Sequence, residues 1–210
     1  MRALFLSAAI VISLPFAAQA EIIALPELFS VSNVAQDDML NIRSEPQAIG
    51  EIIGQFSPNA TNIEVVAFSA DGQWAQVNIG ETAGWVARKF LELEGSAWTD
   101  KTLPQHLACY GTEPFWSLRQ QDGNLSFSEP DNPDQALQLK AVLDRGFEGD
   151  RLRALLASDE TTQMSAVIQP GLCSDGMSDR SFGLNATLIL ENKDQQPRLL
   201  SGCCSIAPRN

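Results

Sequence analysis

Leu40-Asn41-Ile42-Arg43-Ser44-Glu45-Pro46 opens a stretch that closes with Gly84-Trp85-Val86 and then Arg88-Lys89-Phe90-Leu91. From Met39 to Arg43 apolar and polar residues alternate, which is the period of a strand with one buried face. Between the two signatures the same grammar repeats. Gly50 to Phe56 carries Ile52, Ile53 and Phe56, and Ile63 to Phe68 is β-branched and apolar. Asp71-Gly72 is a hairpin turn signal. Trp74 to Ile79 alternates with period two, and Thr82 to Ala87 makes a final strand. Residues 24–94 hold no cysteine and no strong helical period. Five short strands joined by turns suit a small barrel, because closure removes exposed sheet edges.

The N-terminus sets the compartment, and the compartment decides how the cysteines are read. Arg2 is the single charge in residues 1–20, an apolar run from Ala3 to Ala18 follows, and Ala18-Gln19-Ala20 is a small-x-small site. This three-part pattern is that of a secretory signal peptide cleaved after Ala20. The run is short for a bilayer span, which needs about 20 apolar residues. No cysteine follows the site to carry a lipid, so the mature chain is expected to be soluble, without stable membrane insertion. Cleavage removes Arg2 and no acid, leaving 13 bases against 26 acids, a net charge of −13. Such a chain repels phosphates, so nucleic acid is not an expected partner.

Cys109, Cys173, Cys203 and Cys204 all lie in the second half. In an exported chain an even count reads as disulfides. A bond between the adjacent Cys203 and Cys204 would close a strained ring. That leaves Cys109 and Cys173 each bridged to one of the C-terminal pair, with both choices open. Loops this long contribute on the order of 3–5 kcal/mol each where the native geometry is unstrained.

The chain therefore divides into two expected domains, 21–94 and 105–210, with the small polar run 95–104 as linker. In the second, Phe115 to Arg119, Asp122-Gly123 and Leu125 to Phe127 spell a hairpin. Ala136 to Val142, Met164 to Ile168 and Gly183 to Leu190 read as further strands, and Arg151 to Ala157 as a short helix or a strand. The fold class is mainly β: a small barrel followed by a disulfide-braced antiparallel β-domain.

Two resemblances follow from these residues. The ordered set Leu-Asn-Ile-Arg-Ser-x-Pro, Gly-x-Phe, Trp74-x-x-Val77 and Gly84-Trp85-Val86 resembles bacterial Src-homology-3-like domains. That resemblance implies a ligand-binding module for cell-wall peptides or envelope proteins. The chain departs from it at Glu45, where the family often has Gly, and at Phe90, where it often has Tyr. Glu113-Pro114-Phe115-Trp116, Cys173-x-Asp175-x-Met177 and Gly202-Cys203 resemble a family of uncharacterised exported bacterial domains over residues 108–204. This implies a small disulfide-braced β-domain, and no activity. Three Asn-x-Ser/Thr sites, at Asn59, Asn124 and Asn185, matter only in a eukaryotic secretory route, and the resemblances point to bacteria.

Arg43, Trp74, Trp85 and Phe90 are the candidate ligand-binding residues. Aromatic faces with a cation bind extended peptides by stacking and by carboxylate pairing. The competing reading buries Trp74 and Trp85 in the barrel core and gives Arg43 to a turn. Glu113 beside aromatics is a candidate acid, against a structural role accepting backbone hydrogen bonds. Asp175 and Asp179 lie on a Gly-containing loop that could hold calcium; a turn held by aspartate-to-backbone bonds is preferred. His106 with Cys109, Cys203 and Cys204 could make a zinc set, but export favours oxidised cysteines. No metal and no cofactor are expected: phosphate loop, dinucleotide fingerprint and nucleophile motif are all missing.

The expected protein is a periplasmic or secreted, non-enzymatic binding or adaptor protein that contacts peptidoglycan or a periplasmic protein. An alternative is an acidic inhibitor of a basic exported enzyme such as lysozyme, presenting a protruding acidic loop. An enzyme using Glu113, Asp175 or Asp179 is the third reading.

Overall fold

The computed structural model describes residues 23–121 and 123–208. The export segment and its cleavage site lie outside the described residues. The chain begins with eight short strands: β1 (Glu27–Val31), β2 (Leu40–Arg43), β3 (Ile52–Phe56), β4 (Ile63–Val65), β5 (Ala67–Phe68), β6 (Trp74–Ile79), β7 (Thr82–Ala87) and β8 (Leu91–Leu93). A 3-10 turn at Arg88–Phe90 joins β7 to β8. The strands form two sheets, ordered β4-β1-β8 and β3-β2-β7-β6-β5. Phe29, Val31, Leu40, Ile42, Ile63, Val65, Ala75, Val77 and Val86 fill the space between them. These are the alternate residues of their strands, so the period-two pattern becomes the buried face.

The run Ile63 to Phe68 is two strands, not one. β4 pairs with β1, whereas β5 pairs with β6. The chain changes sheets at Val66, whose N–H bonds to the Gln76 carbonyl at 3.0 Å. Asp71-Gly72 forms the expected turn, with Gly72 at φ 68° and its N–H on the Ser69 carbonyl at 2.8 Å.

The second half is a closed eight-stranded barrel of β9 (Ala108–Thr112), β10 (Phe115–Gln121), β11 (Asn124–Glu129), β12 (Asn132–Leu143), β13 (Arg153–Ser158), β14 (Thr162–Cys173), β15 (Phe182–Asn192) and β16 (Arg198–Ser205). Each strand runs antiparallel to the next, and β16 closes on β9. Leu118, Leu125, Phe127, Leu137, Leu155, Met164, Ile168, Leu184, Leu188 and Leu190 fill the interior, each under 3 % exposed. An eight-stranded barrel is just wide enough for such a filling. Arg119, Lys140 and Glu191 face outward, as do the exposed Leu156, Val167, Ile189 and Leu199. The segment Arg151 to Ala157, open between helix and strand in sequence, is strand from Arg153 onward.

Two disulfides brace the barrel. Cys109–Cys204 joins directly opposed residues of β9 and β16, and Cys173–Cys203 ties the end of β14 to β16 across β15. The three sequence landmarks meet here. A Cβ on Gly111 would lie 1.9 Å from the Trp116 indole nitrogen, and one on Gly202 would lie 2.0 Å from the Tyr110 carbonyl oxygen and 2.8 Å from the Trp116 ring. Trp116 stacks on Phe127, with centroids 6.3 Å apart. Gly111, just before the first landmark, and Gly202 of the third thus make room for the tryptophan of the first.

Segment 95–104 is packed. Trp98 and Leu103 enter the barrel core, and the Trp98 indole N–H donates to the Pro26 carbonyl at 3.0 Å. Arg153, 2 % exposed, donates to the carbonyls of Thr99, Thr102, Asp150 and Leu152. The buried Glu27 of β1 accepts from Ser96, from the Ala97 N–H and from Arg151.

Candidate functional site

Arg43 ends β2, opposite Trp85 of β7, which in turn lies opposite Gln76 of β6. Residues paired across strands project from one face, so Arg43, Trp85 and Gln76 form a row on the outer side of the five-stranded sheet. Trp74 lies one row along, opposite Ala87. The inward neighbours Ala75, Val77 and Val86 are fully buried, while Trp74 and Trp85 are half-buried. Both tryptophans are therefore wall residues, open on one side.

A depression of about 660 Å³ opens on this unit, lined by Arg43, Trp74, Lys89, Phe90, Met39 and Val34 among others. Three of the four residues singled out in sequence thus come together. Trp85 does not line the depression; it flanks it from the Arg43 row. Arg43 also does what the competing reading gives it, since its Nη1 donates to the Gly50 carbonyl at 2.7 Å and closes the turn after β2. Phe90 is placed by the 3-10 turn and packs partly against the core. Trp74 is held by the hairpin turn, where its N–H donates to the Ser69 hydroxyl at 3.0 Å.

Lys89 was not singled out in sequence. Its ammonium lies 4.8 Å from the Phe90 ring centroid, and its side chain is exposed. Residues 21–94 contain three cations, Arg43, Arg88 and Lys89, against eleven carboxylates. Arg43 and Lys89 line the depression, and Arg88 sits between the lining residues Ala87 and Lys89, stacked 4.0 Å over Phe68. Two of the three cations of this acidic unit, Arg43 and Lys89, thus line one aromatic depression, together with the acid Asp38. The sequence signal was present: three bases in a long acidic stretch, two of them adjacent.

The other candidates have structural partners or stand apart. Asp175 accepts from the N–H groups of Met177 and Ser178 and from the Ser178 hydroxyl. Burial would raise its carboxyl, but these bonds outweigh burial and hold it below the ordinary value. It is the turn-forming aspartate that the sequence favoured. Asp179 extends that loop onto the first unit: its N–H donates to the Glu81 carbonyl at 3.0 Å, and its carbonyl accepts from the Ala83 N–H at 2.8 Å. The backbone of this loop is thus held against the first unit, with Asp179 exposed. Glu113 and His106 are exposed, and Cys109, Cys203 and Cys204 are all in disulfides, which removes the thiolates of the zinc set.

A larger cleft, about 820 Å³, separates the two units and includes Glu64, Arg180, Phe56 and Phe182 in its walls. Burial raises the Glu64 carboxyl even though the Ser205 hydroxyl and the Ile206 N–H donate to it. Its carboxyl therefore fastens one unit to the other, leaving the smaller, more cationic depression as the better ligand surface.

With this geometry in hand, comparison with known proteins is direct. Residues 38–92 match the family described as Bacterial SH3 domain. No match was found among curated proteins or among solved structures. The first unit is thus similar to a bacterial SH3 domain, a cell-wall or protein binding module without catalytic function of its own. Bacterial SH3 domains are typically extracellular or envelope-associated, and no helix among the described residues is long and apolar enough to cross a membrane.

Proposed function

We propose that this is an exported, non-enzymatic binding or adaptor protein of the bacterial envelope, and that the depression at Arg43, Trp74, Lys89 and Phe90 takes a carboxylate-bearing peptide. The peptide belongs to peptidoglycan or to a periplasmic protein. In this reading residues 21–94 are the binding domain, 95–104 the connection and 105–210 the carrier domain, with export ending in cleavage after Ala20. The landmarks of 108–204 keep their resemblance to the uncharacterised exported domain, and their contacts favour bracing over chemistry.

The observation that carries the reading is the placement of Arg43 and Lys89, two of the unit's three cations, around Trp74 and Phe90. An exposed lysine and an arginine offer charge to a carboxylate, and the aromatic faces offer stacking area. Charge pairing at an exposed site is screened by salt, whereas stacking is not. Binding should therefore weaken with salt without vanishing.

The test is co-sedimentation of the oxidised protein with purified peptidoglycan sacculi across a salt series, with Lys89→Glu and Trp74→Ala alongside. Lys89 is exposed, so its variant folds normally. Trp74→Ala is expected to weaken binding about ten-fold, the typical loss for an aromatic anchor. Lys89→Glu should remove the salt-sensitive part. Wild-type binding that both variants retain would refute the groove.

A further inference from the structure

The four cysteines differ sharply in access. Cys109 and Cys204 are 0 % exposed and their bridge lies within the barrel core. Cys203, next in the chain to Cys204, points to the other face of β16 and is 1 % exposed. Its partner Cys173 is only half-buried, beside Leu172 at 66 % exposure. Cys173 lines an open depression of about 450 Å³ with Gln76, Leu172, Ser178 and Arg180. One bridge is sealed; the other includes a half-buried cysteine at an open depression.

The accessible bridge also anchors a clamp. From Cys173 the chain runs straight into residues 174–181, which grip the β6–β7 hairpin of the first unit. Beside the Asp179 bonds, the Ser181 N–H donates to Asn78 Oδ1 at 3.0 Å, and Asn78 Nδ2 returns a bond to the Ser181 carbonyl at 2.7 Å. Gln76 adds a bond to the Ser181 hydroxyl at 3.2 Å, and Thr82 bridges to Asp179. The clamp connects β14 to β15: it leaves Cys173, which pairs with Phe182 in the ladder and is bridged to Cys203, and it ends at Phe182, where β15 starts.

We propose that Cys173–Cys203 is a site of thiol–disulfide exchange with an external dithiol, and that opening it releases the clamp while Cys109–Cys204 stays closed. A thiolate of the dithiol attacks Cys173 Sγ, forming a mixed disulfide, and Cys203 leaves as a thiolate that takes up a proton. The second thiol of the reductant attacks its own sulfur in the mixed disulfide. This releases Cys173 as a thiol and the dithiol as its cyclic disulfide, so two electrons pass to the protein. Exchange requires a path to a sulfur, and of the four cysteines Cys173 alone is not fully buried. With the bridge open, the noncovalent Cys173–Phe182 pairing is the remaining hold on the start of the clamp.

The experiment titrates the oxidised protein with dithiothreitol under native conditions, alkylates free thiols with iodoacetamide and maps them by mass spectrometry. Hydrogen exchange is read on the same samples. Cys173 and Cys203 should be alkylated at dithiothreitol concentrations that leave Cys109 and Cys204 bridged. Amide protection at Ala83, Asp179 and Ser181 should fall by about ten-fold or more, with Val86 unchanged, as expected for local rather than global opening. A Cys173→Ser, Cys203→Ser double variant should show the same exchange pattern without reductant; if it does not fold, the wild-type titration decides alone. Simultaneous opening of both bridges, or of Cys109–Cys204 first, would overturn the site. Selective opening with unchanged exchange at Ala83 and Asp179 would overturn the release.

Discussion

Gly202 shows how a single residue without a side chain holds the barrel together. A methyl group there would lie 2.0 Å from a backbone oxygen of the adjacent strand, which cannot rotate away. Gly202→Ala is therefore expected to cost about 3 kcal/mol, the upper range for overpacking, read as a lower urea midpoint with unchanged slope. Arg153 makes the opposite point, because a buried charge is tolerated when four carbonyls surround it. Arg153→Met should lose about 3–5 kcal/mol, since it leaves those carbonyls without a donor in a water-poor site. A loss under 1 kcal/mol in the same urea assay would mean that water reaches them.

At the scale of elements, β4 carries a titratable fastening. Glu64 reaches from β4 to Ser205 and Ile206 at the end of β16, with Arg180 the charged group that acts on it from the clamp. Its carboxyl binds a proton more tightly folded than at its ordinary value of 4.5. The unfolded chain loses that proton first, so the stability this group contributes is complete below pH 4.5 and declines as pH rises through the folded value. Wild type should lose stability relative to the non-titrating Glu64→Gln over that climb; a pH-independent difference would contradict the assignment. Strand identity was legible wherever one face is buried: Met39–Arg43, Trp74–Ile79 and Gly183–Leu190 all alternate and all are strands. β1 was not legible as a fastening, because Glu27-Leu28-Phe29-Ser30-Val31 does not alternate apolar and polar: its buried face begins with a glutamate. Its Glu27 is a buried carboxylate matched by Arg151, and no local pattern announces a partner 124 residues away. For the same reason the sequence placed Trp98 in a linker, because its pocket exists only once the barrel has closed. The groove was legible as a set of residue types. That Trp85 falls outside its lining follows from a register that the spacing alone does not carry.

Across the whole molecule the two units share contacts that tie their stabilities. Phe29 and Val31 of β1 enter the first core, while Leu28 packs against the barrel core. With Glu27, Glu64, Trp98 and the clamp also crossing between the units, the oxidised protein is expected to unfold in one transition. Tryptophan fluorescence and far-UV circular dichroism should give coincident urea curves, and two separated midpoints would show that the units unfold independently. In the proposed reading the barrel is the carrier, and the face of the first unit with Arg43, Trp74, Lys89 and Phe90 is the binding surface. That face is the central claim, and its most direct test is a titration of the ¹⁵N-labelled oxidised protein with soluble peptidoglycan stem-peptide fragments, followed through the four tryptophan indole signals. The account predicts that the Trp74 signal moves first and furthest, together with the Lys89 and Phe90 amides, while Trp98 and Trp116 stay still. An unmoved Trp74 at saturating fragment, or shifts confined to the cleft at Glu64 and Arg180, would contradict it.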